Sequence, residues 1–167
     1  MRRLLFSTVS LLLCAAPMEA ADPLYEIDLT VAGQGFDGKS CWVHARAGVI
    51  PAGTEENPAE NPLAVMTLQR LQLTGSDVFY ALNEQRSTDL GKTWSPPVEH
   101  ASFARKPFSW GGFDDLEITV CDFWPTWHAA SGKLLGTGHT VVYQNNAVRK
   151  VRPRGTAYAV YDAAEAK

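Results

Sequence analysis

The chain has 167 residues, of which 46% are hydrophobic and 20% are charged, and its formal net charge is −3. This length and composition predict one globular domain with enough apolar residues to fill a core. The basic residues are scattered and form no basic stripe of the kind that nucleic-acid-binding proteins carry. We therefore expect no nucleic-acid partner.

The first twenty residues have the pattern of a secretion signal. Arg2 and Arg3 give a positive start, residues 4–16 are an apolar stretch, and Ala20 or Ala21 offers a small residue for cleavage. The stretch is shorter than the roughly 18 apolar residues that span a bilayer, so we expect no membrane anchor. The sequence thus predicts a signal peptide at 1–20, a mature domain at 21–167, and a secreted or periplasmic protein.

The predicted mature chain alternates short apolar runs with turn residues, which is typical of an all-β protein. We predict loops at 51–62 and 101–115, and no segment after the signal has a helical period. The run 41–50 is predicted to place its odd-numbered residues on one face. The predicted strands and hairpin arms, in chain order, are 25–31, 41–50, 63–73, 77–86, 116–123, 127–128, 134–135, 140–144 and 157–161.

Two cysteines remain in the mature chain, Cys41 and Cys121. Secretion permits a disulfide between them, but two buried thiols on two strands fit the same pattern. The sequence leaves both alternatives open. Neither cysteine belongs to a close Cys/His ligand pair.

The octet Ser87–Trp94 reads S-x-D-x-G-x-T-W and follows the predicted strand 77–86. Asp89 can turn its carboxylate back onto backbone N–H groups, and Gly91 can take the positive φ of a tight turn. Ser87 and Thr93 supply hydroxyls for local hydrogen bonds, and Trp94 supplies a flat face to hold the turn on the sheet. The octet therefore predicts a hairpin corner.

This octet resembles the Asp-box of the BNR-repeat sialidases, which lies between the outer strands of β-propeller blades. The resemblance implies a sialidase-like six-bladed β-propeller. A blade takes roughly 40–50 residues, so we expect about three blades at most and hence a partial propeller. It also implies a complementary propeller fragment as a partner.

Sialidases of this kind bind the carboxylate of an acidic sugar through an arginine that usually lies in an Arg-Ile-Pro sequence. The nearest match here is Arg46, which three residues separate from Ile50 and Pro51. A guanidinium fork suits that role because it pairs a carboxylate with two hydrogen bonds. They also have an acid/base aspartate shortly before the first Asp-box, where Asp77 stands, and such a carboxyl group can protonate a glycosidic oxygen. The structural alternatives are a packing arginine and a turn-capping aspartate. No residue matches the family's tyrosine nucleophile and its activating glutamate, so we expect no sialidase activity from this chain alone.

Aromatic residues provide a second set of candidates. Trp110, Trp124 and Trp127 are predicted to bind the flat faces of a glycan, with a place in the core as the alternative. Asp122, His128 and His139 could hold a metal if the hairpin brought them together. Their spacing matches no recognised ligand pattern, and we predict neither a metal nor a cofactor.

The resemblance implies that the chain is a fragment of a secreted sialidase-like glycoside hydrolase that acts on a glycan or acidic sugar. The alternatives are a non-catalytic secreted glycan-binding β module and a non-functional remnant. Asp-boxes occur in catalytic and non-catalytic proteins alike, so the motif does not separate these possibilities.

Overall fold

The computed structural model describes residues 25–167, which fold into two antiparallel β-sheets. Sheet 1 contains four strands in chain order: β1 (Ser40–Ile50), β2 (Leu63–Gln72), β3 (Phe79–Ser87) and β4 (Val98–Glu99). Sheet 2 contains β5 (Lys106–Trp110), β6 (Phe113–His128) and β7 (Lys133–Gln144), with β8 (Ala147–Val148) and β9 (Thr156–Tyr161) both paired to β7. A short 3-10 turn, Ala101–Phe103, connects the sheets.

The all-β prediction is confirmed, because no α-helix is found between residues 25 and 167. Each sheet is an up-and-down meander, a connectivity that propeller blades share with other all-β folds. Over the same residues there is no helix long and apolar enough to cross a membrane. The predicted signal peptide lies outside the described residues.

The two sheets pack face to face, with β1 and β6 closest to each other. Buried apolar side chains from both sheets face the space between them, among them Val65, Leu82, Phe123 and Leu134. Close approach depends on Gly48, because a Cβ atom there would lie 2.6 Å from the carbonyl oxygen of Pro125. The absence of a side chain therefore allows the backbones of the two sheets to meet.

Two buried polar side chains of β2 connect the sheets by hydrogen bonds. Oγ1 of Thr67 donates to the carbonyl oxygen of Phe123 at 2.7 Å, and Nε2 of Gln69 donates to that of Val120 at 2.8 Å. The carbonyl of Phe123 lies inside an irregularity in β6, and that of Val120 lies just before it. An interrupted strand leaves backbone groups that need other partners, and β2 supplies them.

Three sequence predictions about strands are wrong. Residues 25–31 form no strand and are exposed, with Leu29 90% exposed, because no strand in the described part of the chain pairs with them. Residues 101–115 are not a loop, since β5 and the start of β6 lie there. The face assigned to 41–50 changes partway, since Gly48 and Ile50 are buried while Val49 is exposed.

The strand predictions for 63–73, 77–86 and 157–161, the hairpin after His128 and the loop at 51–62 are confirmed, apart from end residues. The predicted strand 116–123 is the middle of the longer strand β6. Both described cysteines are free thiols. Cys121 is buried in a core cluster with Val78, Phe79 and Val141.

The octet after β3 has the hydrogen bonds that its sequence predicts. The Thr93 backbone N–H donates to Oδ1 of Asp89 at 2.9 Å, and the Thr93 hydroxyl donates to Oδ2 at 2.6 Å. The Ser87 hydroxyl donates to Asp89 at 2.8 Å and accepts from the Gly91 N–H at 2.8 Å. Gly91 has φ +86°, and its carbonyl accepts the Trp94 indole N–H at 3.0 Å.

Replacing Ser87 by alanine should destabilise the protein by about 1–2 kcal/mol. Ser87 is 2% exposed, and its loss leaves the Gly91 N–H without its acceptor. Urea unfolding measures the change. Thr88→Ala, at the exposed neighbouring position, should change stability by less than about 0.5 kcal/mol. Equal losses in the two variants would contradict this role for Ser87.

Candidate functional site

Two β-bulges define one place on the protein where polar side chains gather. The pairing of β1 with β2 shifts between Val43 and Arg46, and that of β6 with β7 shifts between Cys121 and Trp124. Inside the bulges, His44 has φ +56° and Asp122 has φ +49°. Left-handed backbone is costly for residues other than glycine and tends to occur at functional sites, where a bulge re-aims a side chain.

The bulges bring a histidine, an arginine, an aspartate and a tryptophan together. Nδ1 of His44 lies 3.4 Å from Oδ1 of Asp122, and Nη2 of Arg46 lies 3.6 Å from the same oxygen. The Arg46 guanidinium is 5.5 Å from the ring centre of Trp124. Nδ1 of His44 is itself buried and makes no hydrogen bond. The side chains are partly exposed, with Trp124 55% exposed, so a solute can reach them.

Cys121 and His139 lie beside this group. Sγ of Cys121 is 3.0 Å from Nε2 of His139, which is the residue opposite it on β7. Burial, and then the negative charges of Asp122 and Asp77, raise the pKa of the Cys121 thiol to about 12. A thiol of that kind is protonated at neutral pH and is a poor nucleophile.

Asp77 lies at the turn that enters β3 and is the third residue of this region with left-handed backbone, at φ +56°. Its carbonyl oxygen accepts a hydrogen bond from the buried Tyr143 hydroxyl at 2.9 Å. The ring of Phe79, two residues later, packs against His44 with centroids 4.6 Å apart. Among the described residues, the Asp77 carboxylate has a hydrogen bond only with the Ser76 hydroxyl, at 3.2 Å.

The three tryptophans do not line one shared surface. Trp110 pairs with Phe113 at the start of β6, while Trp127 pairs with Leu134 near its end. At ~3.3 Å per residue, roughly 45 Å of strand separates these two positions. Trp127 is half-buried and packs against a core cluster, and of the three only Trp124 belongs to the bulge site.

The three candidate metal ligands from the sequence, Asp122, His128 and His139, do not all lie together. His128 lies at the tip of the β6–β7 hairpin, paired with Lys133 and hydrogen-bonded to Ser131. His139 lies six residues beyond Lys133 on β7, next to Cys121. The sequence pattern gave no sign that His44 belongs to the site or that Cys121 is the neighbour of His139.

A second arginine, tryptophan and aspartate group is found on sheet 1. Arg70 contacts Asp37 and lies 5.8 Å from the ring centre of Trp42. Hydrogen bonds from the backbone N–H groups of Lys39 and Ser40 lower the pKa of Asp37 to about 2. Asp37 thus holds the turn before β1, and we interpret this group as structural.

A cavity of about 430 Å³ lies between the sheets and contains the buried carboxylate of Glu84. Glu84 accepts hydrogen bonds from Nε of Arg86 at 2.8 Å and from the Tyr161 hydroxyl at 3.0 Å, and Nε2 of His100 lies at 3.1 Å. Burial opposes ionisation of Glu84, but hydrogen bonds from His100, Arg86 and Tyr161 outweigh it and lower the pKa. Burial, followed by the nearby charge of Glu84, raises the pKa of Tyr161, which disfavours a phenolate nucleophile.

Comparison of the chain with protein-family models, with curated proteins and with solved structures found no match. The octet and the geometry of the bulge site are therefore the features from which a function can be inferred.

Proposed function

We propose that this chain is part of a secreted, sialidase-like glycoside hydrolase and that Arg46 binds the carboxylate of an acidic sugar. The observation that carries the proposal is the pair of facing bulges, which presents Arg46 beside Trp124 on an accessible surface. A guanidinium suits the carboxylate of such a sugar, and an aromatic face suits its pyranose ring.

The arrangement of the sheets supports a partial propeller of two blades within residues 25–167. Strands β1–β4 form one four-stranded meander, and β5, β6, β7 and β9 form a second. The octet lies between β3 and β4, the third and fourth strands of the first meander. That is the outer-strand position that the resemblance to Asp-box sialidases implies.

Asp77 is our candidate for the proton donor to the glycosidic oxygen. Asp122 is already engaged by Arg46 and His44, which suits it to hold the arginine in place. Asp77 has no cationic partner among the described residues, and its backbone is fixed by Tyr143. An exposed carboxyl group on a rigid backbone suits proton transfer to a bound substrate.

Loss of the Arg46 side chain should weaken binding of N-acetylneuraminic acid by about 10–100-fold, the usual worth of a charge-assisted pair of hydrogen bonds. Titration calorimetry on the purified chain measures this. Arg70→Ala is the matched control, because Arg70 also contacts an aspartate and a tryptophan. Equal weakening in both variants, or none in Arg46→Ala, would overturn the assignment.

The alternative function is a glycan-binding β module without chemistry, and the exposure of Trp124 is the observation that favours it. The two functions predict different binding of neutral sugars, because recognition through Arg46 requires a carboxylate and recognition through Trp124 does not. If Trp124→Ala abolishes binding of neutral and acidic glycans alike while Arg46→Ala changes neither, the module is the better description. Hydrolysis of a fluorogenic sialoside by the purified chain, above a heat-killed control, would contradict our expectation that this chain alone is inactive.

A further inference from the structure

We propose that Cys121, Asp122 and His139 form a binding site for a zinc-class divalent metal ion. Each of the three residues can offer one ligand atom, and these atoms all lie within 4.8 Å of one another. The three residues come from one place in the fold, where the bulge in β6 faces the neighbouring strand β7. This inference goes beyond the proposed sugar site and does not depend on it.

The bulge explains how two consecutive residues join one site. Neighbouring side chains of a regular strand point to opposite faces of the sheet, so Cys121 and Asp122 would normally lie apart. The left-handed backbone of Asp122, φ +49°, brings its carboxylate to the same site as the Cys121 sulfur. His139 is already 3.0 Å from that sulfur, and this distance would open to ~3.6 Å around a tetrahedral ion.

The donor set selects the class of metal. One thiolate, one imidazole and one carboxylate suit Zn²⁺ or Co²⁺, whereas Ca²⁺ and Mg²⁺ prefer oxygen ligands. Three protein ligands leave a fourth position for water or for another nitrogen. Nδ1 of His44 is buried without a hydrogen bond and lies 3.4 Å from the Asp122 carboxylate, which makes it the nearest candidate for that nitrogen.

The charged groups around the site act in both directions. Arg46 shares the Asp122 carboxylate and opposes a cation, and so do Arg152 and Arg154, whose charges act on Cys121. Asp77 adds a negative charge near Cys121 that favours the ion. Binding of the ion displaces the Cys121 proton to solvent, because the ligand is the thiolate. We therefore expect Arg46→Ala to bind the ion at least as well as the parent protein, even though the same variant should lose the acidic sugar.

Cobalt absorption spectroscopy tests the site directly, because a thiolate ligand gives Co²⁺ a charge-transfer band in the near ultraviolet. In a full chain carrying Cys14→Ser and Cys41→Ser, Cys121 is the one remaining thiol of three. We expect the band on titration with Co²⁺ and its loss on displacement by Zn²⁺. His139→Gln and Asp122→Asn each remove a direct ligand and should weaken Co²⁺ binding by more than the ~10–100-fold that loss of an outer-shell partner costs.

His128→Gln is the matched control, since His128 belongs to the same hairpin but lies at its tip. It should bind Co²⁺ as the background protein does. His139 is exposed, so His139→Gln should keep the core, and circular dichroism checks that it does. Absence of the band in the background protein, or equal affinity in His139→Gln and His128→Gln, would overturn the site. Either result leaves sugar binding through Arg46 unaffected, so the two proposals fail separately.

Discussion

Replacing Gly48 by alanine is expected to destabilise the protein by about 3 kcal/mol, because a new methyl group has no room between the sheets. Its Cβ would lie 2.6 Å from the Pro125 carbonyl oxygen and 2.9 Å from a methyl group of Leu134. The Pro125 contact is with backbone and cannot be relieved by a side-chain rotation. Urea unfolding gives the change in free energy.

Gly155→Ala is the control for this substitution. A Cβ at Gly155 would be 3.5 Å from the Thr140 hydroxyl, which is ordinary contact. We expect a change in stability below about 1 kcal/mol there. If Gly48→Ala is as stable as Gly155→Ala, then β1 and β6 do not pack as closely as described.

Glu84→Gln should lower the free energy of unfolding by about 2–4 kcal/mol at pH 7. The amide cannot replace a buried carboxylate that faces Arg86, His100 and Tyr161. The folded pKa of Glu84 is lowered from 4.5, so its charge stabilises the fold above that pH. The contribution is lost as the pH falls through the folded pKa. The difference in the free energy of unfolding between the parent and the variant should therefore become smaller below about pH 4.

Denaturant unfolding of both proteins from pH 3 to pH 8 provides the measurement. Glu99→Gln is the control, because Glu99 is an exposed carboxylate on the neighbouring strand β4. We expect that variant to stay within about 0.5 kcal/mol of the parent across the range. A Glu84→Gln penalty that does not change with pH would show that the charge of Glu84 contributes nothing.

Local signals in the sequence predicted the turn after β3 well. The hydrogen bonds of Asp89, the positive φ of Gly91 and the contact of Trp94 all involve residues within eight positions of one another. The conformation of such a turn is determined by residues close in sequence, because no distant strand is needed to form it. The same holds for the hairpin that follows His128.

The bulge site could not be predicted in the same way. His44 and Asp122 take left-handed backbone, which His and Asp adopt more often than most residues, but neither residue type by itself marks an interrupted strand. The shift in β1 also moves Gly48 and Ile50 to the core, which simple alternation assigned to solvent. Arg46 and Asp77 are named by the resemblance alone, and their surroundings depend on how the two sheets pack.

The availability of a pairing partner explains the remaining differences between the predicted and the observed strands. Residues 25–31 alternate as a strand should, but alternation specifies which face is apolar and not which strand is the partner. Strand β5 lies in an aromatic stretch that contains Pro107, and its sequence did not indicate a strand. It forms because the N-terminal part of β6 offers an edge for pairing. Long-range contacts, which a local pattern does not encode, decided both outcomes.

Nuclear magnetic resonance of the full chain with N-acetylneuraminic acid tests the site at Arg46 most directly. We expect the side-chain signals of the Arg46 guanidinium and the Trp124 indole to shift with added sugar, while those of Arg70 and Trp42 stay unchanged. The methyl ester of the same sugar, which lacks the negative charge, should give much smaller shifts at Arg46. Equal shifts with the acid and the ester, or shifts at Arg70 instead of Arg46, would contradict acidic-sugar recognition at the paired bulges.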